Sequence, residues 1–153
     1  MAGILEDYAK RGVFRGFSRG PVHRGKAAFK MLWHRDRFFE LILDTKRRTF
    51  RFPVVLPGVP RNSSMYREFK QFLDSAHSRT VPAHRWIDRK KARVRSSHRN
   101  GNVALTVTVV NSDYEYSVRK LVHLVHEIYL VFLSDGRYYK YLVETFDLDP
   151  DRL

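Results

Sequence analysis

The stretch Asn102–Leu133, NVALTVTVVNSDYEYSVRKLVHLVHEIYLVFL, decides the fold. Val103, Leu105, Val107 and Val109 alternate with Thr106 and Thr108. That period of two marks a half-buried strand, predicted over Val103–Val110. Asn111, Ser112 and Asp113 then offer helix-capping side chains. Beyond them Val118, Leu121, Val122, Val125, Ile128, Tyr129 and Phe132 recur at helical spacing. The spacing predicts a helix over about residues 114–133, with an apolar stripe wide enough to cover a sheet face. Gly136 stands where a left-handed C-terminal cap belongs.

Upstream, Asn100-Gly101 is a strong two-residue hairpin signal, since both central positions of that turn take positive φ. It predicts a partner strand over Val94–His98. Three further runs alternate: Ala28–His34, Arg37–Asp44 and Thr49–Leu56. Their short connections imply an antiparallel meander. Pro53 lacks a backbone donor, so its strand is expected to be an edge or to bulge there. Asn62, Ser63 and Ser64 can cap a helix to about Ser75, carried by Met65, Phe69, Phe72 and Leu73. Shorter helices are expected over residues 3–10 and 138–146. The expected fold class is α+β: an antiparallel five-stranded sheet with helices packed on one face, in the order α-β-β-β-α-β-β-α.

The chain of 153 residues has the length of one domain and contains no cysteine. That excludes disulfides, thiol nucleophiles and cysteine-based metal centres. No apolar run reaches membrane-spanning length, and the N-terminus lacks signal-peptide character; the expectation is a cytoplasmic protein without membrane contact. Charge is uneven: 24 basic residues face 8 acidic ones through position 100, and 5 face 8 beyond it. The net charge of +13 attracts anions.

Two basic segments stand out. Residues 11–26 hold four Arg-Gly pairs, at Arg11, Arg15, Arg19 and Arg24, with Phe14 and Phe17 between them. Their glycines predict a loop or arm rather than a regular element. Arginine forks match phosphates, and the two phenylalanines suit base stacking; the bland alternative is a solubilising loop. The second segment, residues 85–99, carries Arg89, Lys90, Lys91, Arg93 and Arg95 with Trp86. It reads either as a phosphate groove or as a charge-guarded edge strand.

No catalytic constellation emerges. His123 and His126 lie three apart beside Glu127, but a metal needs at least three convergent ligands, and a solvated helix edge accounts for the pair. Neither a metal nor a cofactor is expected. The aspartates of the tail, Asp147, Asp149 and Asp151, read as a solvated acidic end, and phosphate-loop and nucleophile-elbow motifs are missing.

The element order, with Asn102–Leu133 as a final strand feeding a long sheet-covering helix, resembles the type III secretion chaperone / YbjN-like fold. Such proteins are commonly homodimers that bind polypeptides and catalyse nothing. They are typically acidic, whereas this chain is strongly basic. The resemblance implies a non-enzymatic, chaperone-like, homodimeric protein-binding module, a dimer also burying surplus aromatic residues. The alternative is a nucleic-acid or other polyanion binder using the Arg-Gly arm and the 85–99 segment.

Overall fold

The computed structural model describes residues 2–20, 22–33 and 37–133, with Tyr138 and Tyr141. The elements are α1 (Ala2–Lys10), β1 (Arg15–Arg19), β2 (Lys26–Trp33), β3 (Arg37–Asp44), β4 (Thr49–Leu56), α2 (Ser64–Ser75), β5 (Ala92–Arg99), β6 (Asn102–Val109) and α3 (Tyr114–Glu127). A π-helical turn over Ile128–Phe132 continues α3. The fold is α+β, with one antiparallel six-stranded sheet in the order β1-β2-β3-β4-β6-β5.

The sheet thus has one strand more than expected. The addition, β1, falls inside the segment read as a loop or arm, so the chain runs α-β-β-β-β before α2. Its alternation is hidden because Gly16 takes φ +59 and the register against β2 shifts between Arg15 and Ser18. A bulge of this kind adds a residue and breaks the period of two. Pro53 takes the bulged option: β4 is central, and its register against β6 shifts between Phe52 and Leu56. The missing donor falls where the ladder is already interrupted.

Local signals explain the other boundaries. Asn100 and Gly101 take φ 53 and 78, as the β5–β6 hairpin requires. The Ser63 hydroxyl accepts the Tyr66 N–H at 3.1 Å and caps α2. The expected helix 114–133 is α-helical only to Glu127; over its last residues the backbone widens, and the Leu133 N–H reaches the Ile128 carbonyl at 2.9 Å. The expected cap at Gly136 and the acidic tail lie outside the described residues, as does most of the helix 138–146.

Odd-numbered residues of β2, β3 and β6 and even-numbered residues at the start of β4 point to one face. Phe29, Met31, Trp33, Phe39, Leu41, Phe50, Phe52, Leu105 and Val107 are buried there. They share a core with Leu5 of α1, Phe69 and Leu73 of α2, and Val118, Leu121 and Val125 of α3. Edge-to-face pairs Phe39–Tyr129 and Phe50–Tyr114 fasten α3 and its π turn to β3 and β4. The Tyr129 hydroxyl donates to the Val55 carbonyl at 2.8 Å, and burial holds this phenol above its ordinary pKa.

Candidate functional site

The same alternation gives the sheet a second face. A cleft of about 390 Å³ opens on it, lined only by strand residues and the β3–β4 turn. Strand register builds its floor. Ala28, Ile42, Arg51, Thr106 and Arg95 form one row across five strands. Lys26, Asp44, Thr49, Thr108 and Arg93 form the next. Arg47 reaches in from the turn.

On this face basic side chains outnumber the carboxylates of Glu40 and Asp44. Lys26, Arg47, Arg51, Arg93 and Arg95 form no ion pair among the described residues. Asp44 is the acidic residue of the cleft, and its Oδ1 is engaged by the backbone N–H groups of Lys46 and Arg47 at 3.0 and 3.1 Å. Its carboxylate closes the turn. Arg51 is central, and its Nε is buried with no hydrogen-bond partner. A buried donor left unsatisfied costs about 1–3 kcal/mol, a cost recovered if the side chain shifts to meet an anionic oxygen. Further along the face, Phe38 stands opposite Leu32 and is 71% exposed, beside the Lys30–Glu40 pair. Cations, hydroxyls and one bare aromatic ring suit a flexible polyanion carrying flat groups.

The ten residues singled out in the sequence do not gather into one patch. Arg93 and Arg95 stand on the open face of β5, and Arg95 lines the cleft. Arg15 lies opposite Leu32, on the same face but in the outermost strand at the far edge. Five strand spacings, about 24 Å, separate β1 from β5. Arg19 pairs opposite Phe29 and belongs to the other face. Arg11 closes α1, held by Asp7 at 2.6 Å and lying over the Tyr8 ring. Arg24 occupies the turn before β2 with φ 51. Trp86 is half-buried, donating through Nε1 to the His77 carbonyl at 3.2 Å under the Arg79 guanidinium. Arg89 and Lys90 are exposed in the turn before β5, while Lys91 lies over the Tyr116 ring on the helical side.

Two expectations are overturned. The Arg-Gly segment is no free arm, since β1 pairs with β2. Phe14 and Phe17 are not available for stacking on a ligand: Phe14 is buried and Phe17 stacks on Phe29. Both are needed for core packing. The residues missed in the sequence are Lys26, Arg47, Arg51 and Phe38. The signal was present for Phe38 and Arg51, each in the open-face phase of a predicted strand, whereas Lys26 precedes the predicted strand Ala28–His34 and Arg47 lies in a turn.

A second cluster lies on the helical side. His123 Nε2 and Glu127 Oε1 of α3 are 3.4 Å apart, and His84 from the turn after Pro82 joins them. The three ligand-type atoms lie within 4.8 Å of one another. His126, the expected companion of His123, is not part of this group. Desolvation lowers the His123 pKa, Glu127 acting against it, so the ring favours its neutral form. No family model matches the chain, and neither the curated proteins nor the solved structures include a significant match to it.

Proposed function

We propose that the protein is a non-enzymatic binder of single-stranded nucleic acid, which lies across the open face of the sheet. The observation that carries this reading is the set of unpaired cations around Arg51, with its buried, unsatisfied Nε. Lys26, Arg47, Arg51, Arg93 and Arg95 would neutralise phosphates, and the Thr49 and Ser97 hydroxyls would donate to sugar or phosphate oxygens. Phe38 would stack on one base. Duplex is disfavoured because a single exposed ring and a shallow sheet suit splayed bases. A cysteine-free chain of this charge suits a reducing, cytoplasmic setting.

Anisotropy of a labelled oligouridylate at low salt tests the proposal. Binding should be micromolar, and log K should fall with log salt at a slope of about −3.5 if five phosphates are neutralised. The double variant Arg51→Ala/Arg95→Ala should reduce the magnitude of that slope by about 1.4. An unchanged slope, or no binding by the wild-type protein at low salt, would refute the reading.

A chaperone-like homodimer remains a second reading because Leu130 and Val131 are exposed side by side in the π turn, at 57% and 44%. Light scattering at micromolar concentration checks it: a dimer sensitive to Leu130→Glu supports it. A strict monomer that captures no unfolded polypeptide removes it.

A further inference from the structure

The histidine cluster on the helical side has the geometry of a metal site. A tetrahedral zinc with ligand bonds of about 2.0–2.1 Å sets its ligand atoms about 3.3 Å apart. His123 Nε2 and Glu127 Oε1 already stand at 3.4 Å. That separation is long for a hydrogen bond, and His123 Nε2 is buried without a hydrogen-bond partner. The two residues are four apart on α3, so the helix itself fixes their spacing. His84 sits within 4.8 Å of both, so a movement of at most about 1.5 Å completes a three-ligand set. It is exposed and lies in a turn, where rotation of the side chain supplies the movement. The His84 and His123 rings already pack against each other, 5.7 Å between centroids.

Two cations stand nearby and oppose a metal ion. Arg85 Nε lies 3.5 Å from Glu127 Oε2, and Lys120 lines the same small cavity. Arg85 engages the other carboxylate oxygen, leaving Oε1 turned towards His123, much as a second partner orients a ligating carboxylate. Lys120 Nζ donates to the His84 carbonyl at 3.4 Å, and burial lowers its pKa. The cavity beside Glu127 has room for about one water-sized occupant, at about 10 Å³.

We propose that His84, His123 and Glu127 bind a zinc-class divalent cation, with water at the open fourth position. The ion pins the segment before β5 to α3. This segment already leans on α3 through the Asp88 N–H, which donates to the Tyr116 hydroxyl at 2.8 Å. It leads directly into Arg93 and Arg95, so the ion would stiffen the approach to the basic edge strand. The inference stands independently of nucleic-acid binding.

The test uses the full-length, untagged protein titrated with Co²⁺ and Zn²⁺. Wild type should bind one Co²⁺ with visible d–d absorption that Zn²⁺ displaces, and zinc should raise its Tm. His84→Ala and Glu127→Gln should each weaken binding by about tenfold or more. His126→Ala should leave it unchanged, and circular dichroism confirms that each variant is folded. A wild-type protein with no cobalt spectrum overturns the proposal. So does equal affinity in the His84 and Glu127 variants.

Discussion

Phe38 and Phe39 are neighbours in β3 with opposite fates. Phe39 is 1% exposed and wedged among Trp33, Phe52 and Tyr129, whereas Phe38 is 71% exposed on the other side of the same strand. The two faces of the sheet differ in the same way throughout. One is aromatic, buried and tied to three helices. The other is cationic and faces solvent around a cleft. A face that serves only solubility would intersperse both signs of charge, as surface ion pairs do. Here Lys26, Arg47, Arg51, Arg93 and Arg95 of the open face form no ion pair among the described residues, although carboxylates pair with Arg11, Arg85 and Arg119 on the helical side. The difference teaches that the packing that holds the fold is concentrated on one face, while the other is left open to solvent.

The sharpest break comes from truncating each face in turn. Phe52→Ala removes a fully buried ring between Trp33 and Phe39 and should cost about 3–5 kcal/mol in urea denaturation. A loss below 1 kcal/mol would mean that this face is not the core. Phe38→Ala should leave stability within about 0.5 kcal/mol of wild type. It should weaken oligouridylate binding by about 1–3 kcal/mol in titration, the worth of one stacked base. Arg51→Ala should be neutral or slightly stabilising in thermal melts, since it deletes a buried donor with nothing to meet. A marked destabilisation would show that Arg51 supports the fold rather than a ligand. The smallest effect belongs to Arg11→Ala. Its exposed pair with Asp7 is worth less than about 1 kcal/mol, and its place at the end of α1 should leave nucleic-acid affinity unchanged.

Much of the fold was legible because its signals are local. Val103 to Val109 alternate without interruption, Asn100-Gly101 sets the hairpin, and Ser63 caps α2. What escaped was decided by pairing. β1 is a strand because β2 offers it a ladder, despite glycines that oppose a regular strand. The π turn at Ile128 follows from tertiary packing of Tyr129 and Phe132 rather than from the apolar period. The site was less legible than the fold. Local density of arginine drew attention to Arg11–Arg24 and to Trp86, but exposure and face decide what a ligand meets. Lys26, Arg51 and Arg95 lie far apart in the chain and converge only through strand register. His84 likewise reaches His123 across 39 residues, a juxtaposition that no spacing rule foretells.

The central claim is that a single-stranded ligand lies on the open face and nowhere else. Photo-crosslinking of a 4-thiouridine oligomer to the full-length protein, with adducts mapped by peptide mass spectrometry, tests it most directly. The account predicts adducts at Phe38 and at open-face positions of β4 and β5. Adducts confined to Trp86 or to residues 11–19, or no adduct at low salt, would contradict it.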